Sequence, residues 1–337
     1  MNQLGIWIQA TRPKTLAAGA VPVAVGTLLA VPPERIAWGP ALGCLAGALL
    51  LQIGCNFANE VGDFRRGADT PDRLGPTRAV AAGLVSPRAM VWATVLVLGL
   101  ATVVGLLLSL HAGWPVLAIG AVSIVAALAY TLGPFPLAYR GLGEPFVLLF
   151  FGWVATLGAA WVQLAPVVEQ VRPLLEGVGQ LQSMLDRVLR REPPPPDRLA
   201  AMAHALPWLL TATAIGLQAT VLITVNNLRD LATDAPAGKR TICVRLGPVG
   251  SRILVTLLAL GAPACWAVAA LRDLPGPAAA FGLGEPGWAP AIVSGLAGLV
   301  ITVLAWRMQG AALNRVLALA GAALLATGIA ACASLWR

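Results

Sequence analysis

Apolar residues dominate nine stretches of this chain, at about 14–30, 39–60, 88–110, 113–131, 144–165, 205–226, 249–271, 287–306 and 313–335. Each is long enough for a helix to cross a hydrocarbon core about 30 Å thick. A backbone in lipid must satisfy its own hydrogen bonds, so such runs become helices unless they close into a barrel. The pattern therefore predicts an all-α integral membrane protein with nine transmembrane helices around a central cavity. Pro22 interrupts the first run, and the 113–131 run follows a very short turn from His111 to Trp114.

Polar residues gather where the runs end. Asn56, Asn59, Glu60 and Asp63 fall at i, i+3, i+4 and i+7, which collects four oxygen-bearing side chains on one helical face. Past the middle of the chain, Asn226, Asp230 and Asp234 repeat at i, i+4 and i+8. The segment 166–204 breaks the pattern. Leu174, Leu175, Leu181, Met184, Leu185, Val188 and Leu189 recur at helical spacing before the prolines at 193–196. It reads as an amphipathic surface helix and a stiff polyproline link, inserted into a single transmembrane domain that spans 1–337. A tolerated insertion with no chemical role accounts for it more simply than a docking element.

The composition agrees with a membrane protein. Hydrophobic residues make up 58% of the 337 and charged residues only 11%, with a mean hydropathy of +0.79. The formal net charge of +8 does not point to nucleic acid, because the basic residues lie between apolar runs. If the N-terminus is cytoplasmic, that face receives Arg12, Lys14, Arg65, Arg66, Arg73, Arg78, Arg88, Arg140, Arg229, Lys239, Arg240, Arg245, Arg252, Arg307 and Arg315. The basic and acidic residues of the other face cancel, so the positive-inside bias orients the chain and puts both polar motifs on the cytoplasmic side. Cys44, Cys55, Cys243, Cys265 and Cys332 are scattered, and His111 and His204 are far apart. Neither zinc nor triad chemistry has the residues it needs.

Both motif loops place carboxylates before cations on glycine-bearing turns. The first runs through Asp63, Asp69, Asp72, Arg73 and Arg78, and the second through Asp234, Gly238, Lys239, Arg240 and Arg245. Oxygen-only ligands in two sets suit Mg²⁺, which binds few carboxylates and completes its shell with water and phosphate. Cations nearby would absorb the charge growing on a leaving diphosphate. One such loop alone would read as a salt-bridged surface; two on one face point to a Mg²⁺–diphosphate site. Between the fourth and fifth runs lie the chain's only tyrosines, Tyr130 and Tyr139, with Arg140. Interfacial tyrosines commonly anchor membrane helices. Here a phenol could also stabilise a carbocation through its π face, and Arg140 could hold an acidic acceptor.

Together the two motifs resemble the UbiA superfamily of intramembrane aromatic prenyltransferases. The first loop, the N-terminal Trp7 with Arg12 to Leu16, and the stretch from Tyr130 to Glu144 are similar to the 1,4-dihydroxy-2-naphthoate polyprenyltransferases of menaquinone synthesis. The resemblance covers nearly the whole chain except 166–204. It implies Mg²⁺ and diphosphate contacts at Asn59, Asp63, Asp69, Asn226, Asp230 and Asp234, with basic diphosphate contacts at Arg73, Arg78, Lys239 and Arg240. It further implies that Asp63, Asp230, Tyr130 and Arg140 carry catalysis, in the cytoplasmic membrane of a bacterium. Polyprenyl diphosphate would donate to an aromatic acid, which loses CO₂ to give demethylmenaquinone. Two features depart from the family pattern: Glu60 stands where aspartate is usual, and Val61 where an aromatic residue is common.

Two other readings remain open on the residues alone. A prenyltransferase for 4-hydroxybenzoate or another aromatic would use the same motifs. A small-solute transporter would more often carry its charges near mid-membrane, whereas these lie at the ends of runs.

Overall fold

The computed structural model describes residues 2–69, 74–176, 196–271 and 287–336, with the backbone alone described at 167–176 and 196–204. Every regular element among them is helical. The chain runs through α1 (Gln3–Ala10), α2 (Ala17–Ala30), α3 (Trp38–Arg65), α4 (Pro87–Ala112), α5 (Trp114–Ala129), α6 (Gly143–Pro166), α7 (Pro196–Arg229), α8 (Ile242–Ala270), α9 (Ala289–Arg307) and α10 (Leu313–Leu335).

Each of the nine apolar runs coincides with a helix, but two helices are shorter than a membrane span. Among the described residues, seven helices are long and apolar enough to cross a bilayer. An eighth crossing forms only if α1 and α2, bent by 52° at residues 11–16, act as one broken span. α5 has 16 residues, or about 24 Å at 1.5 Å per residue, short of a full core. The cause is local: Gly113 and Pro115 start α5 late, and its helix stops at Ala129.

Around α2, α7, α8 and α10 the packing is dry. Val25, Leu29, Ile215, Val225, Val255, Trp266, Val316 and Leu324 are fully buried there. Leu96, Leu107, Val122, Leu257, Leu296 and Ile329 instead point outward and form an apolar exterior that fits a bilayer. Lipid offers helices no hydrophobic drive to associate, so close backbone approach does much of the work. A Cβ on Gly152 would come within 2.8 Å of the Ala212 carbonyl, and one on Gly216 within 2.8 Å of the Leu148 carbonyl. That contact seats the π-helical stretch Leu148–Val154 of α6 against α7. A widened turn of this kind is common at functional sites. Here it turns Phe150, Phe151 and Val154 toward the interior cavity.

Both polar motifs meet at one end of the bundle. The backbone of α6 stays helical to Glu176 at the opposite end, and that of α7 begins at Pro196. The insertion therefore leaves from the end away from the motifs. Most of its expected amphipathic helix and the prolines at 193–195 lie outside the described residues, as do Asp72 and Arg73.

Candidate functional site

The first motif holds its register. Asn56, Asn59, Glu60 and Asp63 occupy the last three turns of α3 and are all buried. α3 ends on Gly67, whose φ of +66° allows the Ala68 N–H to reach back to the Asp63 carbonyl at 3.0 Å. The second motif ends the same way. α7 stops at Arg229, a single helical turn covers Leu231–Asp234, and Gly238 at φ +71° lets the Lys239 N–H reach the Asp234 carbonyl at 3.0 Å. Left-handed glycine caps of this type satisfy carbonyls that the helix end orphans. Two unrelated stretches thus use one device to present an aspartate at a helix terminus.

Each set of carboxylates is held by arginine. After the first loop the chain folds back under the bundle, where Ala79, Val80, Val85 and Met90 pack with Ile6, Phe57 and Val61. That return buries Arg78, which donates to Glu60 Oε1 at 3.2 Å and Asp63 Oδ2 at 2.8 Å and lies 3.3 Å from Asp69 Oδ1. The Val80 N–H completes the clasp on Glu60 Oε2 at 3.2 Å. On the other side, Arg229 grips Asp230 with two nitrogens at 2.8 and 2.5 Å and also donates to Asn226 Oδ1 at 2.8 Å. Planar forks of this kind fix a carboxylate's orientation as well as its charge. Lys239 lies 3.7 Å from Asp234.

Tyr139 joins the two halves. Its hydroxyl donates to Asp63 Oδ1 at 2.9 Å, and its carbonyl accepts from the Arg240 N–H at 3.2 Å. Arg66 and Lys239 stand 5.2 and 5.6 Å from its ring centroid. Burial, then the charge of Asp63 and the hydrogen bond to it, pushes the Tyr139 phenol well above its ordinary value. It therefore stays a protonated donor across the working pH range. Asn314 of α10 ties in the remaining loop, accepting from Arg229 at 2.8 Å and donating to the Leu74 carbonyl at 3.1 Å.

Beside these motifs opens a cavity of about 600 Å³. One end is polar and includes Arg12, Asn56, Asn59, Tyr130 and Asn226; the rest is walled by residues such as Leu51, Leu108, Val116, Ile124, Phe150 and Val162. Asn59 is further fixed by the Thr131 hydroxyl, which donates to its Oδ1 at 2.9 Å. Asn56 donates to the Thr11 carbonyl at 2.9 Å and pins the bend between α1 and α2.

The expected site residues separate into three groups. Asn59, Tyr130 and Asn226 line the cavity, while Asp63, Asp69, Asp230, Asp234 and Lys239 lie in the adjoining motif clasps. Two arginines are placed otherwise than expected. Arg78, expected on diphosphate, turns its guanidinium to three carboxylates and is buried. Arg140, expected on the acceptor, is exposed with its guanidinium 4.1 Å from the Phe135 ring centroid, and it does not line the cavity. Arg240 is also exposed, and Arg73 is not described. Three features carried no role in the sequence pattern: the clasp of Arg229, the bridge through Asn314, and the buried pair in which Asn227 donates to Glu144 Oε1 at 2.9 Å. Asn314, which with Arg315 heads a largely apolar α10, was the available signal for the second of these.

The donor chemistry fits Mg²⁺. Among the described residues no three His, Cys, Asp or Glu side chains form a group that could hold a metal ion by themselves. Mg²⁺ does not need one, because it takes one or two carboxylates and fills its shell with waters and substrate phosphate. The arginine clasps orient the aspartates, and the Asn59 and Asn226 side chains add neutral oxygens nearby.

Comparisons with known proteins agree with this architecture. The model of the UbiA prenyltransferase family matches residues 20–309. A 1,4-dihydroxy-2-naphthoate octaprenyltransferase of Escherichia coli is 34% identical over 274 residues, covering 80% of this chain and 77% of that protein. Its counterpart from Mycobacterium tuberculosis is 35% identical over 254 residues, covering 75% and 74%. Among solved structures, a UbiA homolog from Aeropyrum pernix superposes with a TM-score of 0.61 at 18% identity, covering 94% of this chain and 96% of that one. One from Archaeoglobus fulgidus, bound to DMAPP and Mg²⁺, superposes at 0.57 with 14% identity, covering 97% and 99%.

Proposed function

We propose, from the premise that this chain belongs to the UbiA prenyltransferase family, that it transfers a polyprenyl group from polyprenyl diphosphate to 1,4-dihydroxy-2-naphthoate. The chain is a multi-pass membrane prenyltransferase; donor, acceptor and metal are our reading. The observation that carries it is the cavity: a long apolar volume whose polar end adjoins two arginine-clasped aspartate motifs. Relatives named as naphthoate octaprenyltransferases favour this acceptor over 4-hydroxybenzoate.

The apolar walls take up the prenyl tail, and each methylene removed from water contributes about 0.8 kcal/mol. That binding energy holds the diphosphate end against the motifs and converts an encounter into a fixed approach. The two motifs, Asp63 and Asp69 with Asn59 and Asp230 and Asp234 with Asn226, would hold Mg²⁺ at one or two carboxylates per ion, and Mg²⁺ when bound would supply positive charge to the diphosphate oxygens. Lys239, set between Asp234 and the Tyr139 ring, adds a cation on the same side. As the allylic C–O bond breaks, its electron pair leaves with diphosphate. Tyr130, at the cavity's polar end, offers a π face to the allylic cation. The electron-rich ring then forms the new C–C bond. The allylic carbon replaces CO₂ on the ring with no net change in protons. We place the protein in a bacterial cytoplasmic membrane with its N-terminus and both motifs facing the cytoplasm.

The test is transfer by the purified full chain in lipid nanodiscs, with one polyprenyl diphosphate, Mg²⁺ and a panel of aromatic acids. Product from the naphthoate with CO₂ release is expected. Product from 4-hydroxybenzoate alone would overturn the acceptor assignment, and solute flux without transfer would favour a transporter. Because Arg140 is exposed and does not line the cavity, Arg140→Ala is expected to leave KM for both substrates within about twofold. A selective rise in KM for the aromatic acid would bring Arg140 back into the site.

A further inference from the structure

We propose that Arg12 is the acceptor-carboxylate anchor: its guanidinium holds the carboxylate of the aromatic acid at the polar end of the cavity. The inference rests on the reading above that the acceptor is an aromatic acid, and it assigns a residue to that acid.

Among the described residues that line the cavity, Arg12 is the one with a charged side chain. The aspartates of both motifs sit outside that lining, in the clasps of Arg78, Arg229 and Lys239. An anionic ligand that enters the cavity itself therefore meets its cation at Arg12. Its neighbours there are Asn56, Asn59 and Tyr130. A ring held with its carboxylate on Arg12 would lie beside the Tyr130 phenol, the group we place near the allylic cation.

The backbone supports a built position. Arg12 has φ 56° and ψ 65°, and it is the one non-glycine residue with positive φ among those described. A side-chain-bearing residue in that region costs on the order of 1 kcal/mol or more and persists where its surroundings impose it. Here they do. The Arg12 N–H donates to the Gln9 carbonyl at 3.0 Å, and the Arg12 carbonyl accepts from both the Thr15 N–H and the Thr15 hydroxyl at 2.9 Å. The Asn56 side chain grips the preceding carbonyl, that of Thr11. Pro13 follows and starts the 3₁₀ turn Pro13–Thr15. This kink between α1 and α2 places Arg12 in the cavity wall instead of on the bundle's surface. Guanidinium geometry matches a carboxylate with paired hydrogen bonds, which an ammonium does not reproduce.

The same guanidinium could instead meet the diphosphate, so the experiment separates the two anions. With the full chain in nanodiscs, KM is measured for 1,4-dihydroxy-2-naphthoate, for polyprenyl diphosphate, and for 1,4-dihydroxynaphthalene, the same ring without its carboxylate. Arg12→Gln is expected to raise KM for the naphthoate by about tenfold or more, while the other two stay within about twofold. Arg12→Lys should fall between. A rise confined to polyprenyl diphosphate, or an equal loss with and without the ring carboxylate, would overturn the proposal. Binding of the non-reacting pair 1-hydroxy-2-naphthoate and 1-naphthol, followed by thermal shift without Mg²⁺, gives a readout independent of turnover. Stabilisation by the acid alone, lost in Arg12→Gln and reduced in Arg12→Lys, supports the anchor; equal stabilisation of wild type and variants by the acid sinks it. Wild-type protein that binds the acid through Arg12 but prenylates no aromatic acid would refute the proposed activity and leave the anchor standing.

Discussion

Asp63→Ala and Asp230→Ala are each expected to lower prenyl transfer by on the order of a thousandfold, about 4 kcal/mol in the barrier. The two aspartates end the two helices that present the motifs, and each is oriented by a donor fork, from Arg78 and Tyr139 in one case and Arg229 in the other. On the proposed reading, removing either carboxylate would take a ligand from Mg²⁺ and would free an arginine to compete for the diphosphate in an unproductive pose. Excess chelator should silence the wild-type protein to the same degree, because the aspartates of both motifs would then face the proposed diphosphate without Mg²⁺ between them. Steady-state transfer with radiolabelled donor measures both effects. A variant that keeps most of its activity, or a wild type indifferent to chelator, would show that the motifs serve the fold and not the reaction.

Arg78→Ala should damage the protein before any question of catalysis arises. One guanidinium at 6% exposure balances Glu60, Asp63 and Asp69. Deleting it leaves those carboxylates crowded in a buried site, and breaking even a single buried ion pair typically costs about 3–5 kcal/mol. The expected result is a large loss of thermal stability in detergent, followed by light scattering or a thiol-reactive dye. Charge and not shape is the cause, so Arg78→Ala combined with Glu60→Gln should recover part of the loss. Full stability of the single variant would mean that the first loop is held by its apolar return through Val80 and Met90, with the clasp incidental. Glu60 also gains an explanation. Its longer side chain reaches both Arg78 and the Val80 N–H, so the residue that departs from the family pattern works as a strut for the loop.

Some of this was legible along the chain. The apolar runs gave all the helices that reach across the bundle, because crossing lipid is a property of one segment and its own hydrogen bonds. The i, i+3, i+4 and i+7 spacing put Asn56, Asn59, Glu60 and Asp63 on one face of α3, as the helix repeat requires. Composition identified a membrane protein, and the order of carboxylates, glycines and cations in two loops marked where to look.

Which cation meets which anion could not be read that way. Arg78 and Arg140 were indistinguishable as loop arginines, yet one is buried against three carboxylates and the other lies exposed on Phe135. Tyr139 and Tyr130 looked alike, but Tyr139 clasps Asp63 while Tyr130 lines the cavity. Arg12 enters the cavity wall at a kink that Asn56, on another helix, helps to hold. α5 fell short of a full span because the turns at its two ends consumed residues that hydropathy alone counted as membrane. The sequence by itself determined which segments form apolar helices and which faces are polar, since both follow from local periodicity and the cost of bare polar groups in lipid. Tertiary structure alone decided the pairings, because a buried charge takes whichever partner the packing of distant helices brings within 3 Å or so, and that distance is not written in the spacing of residues along one chain.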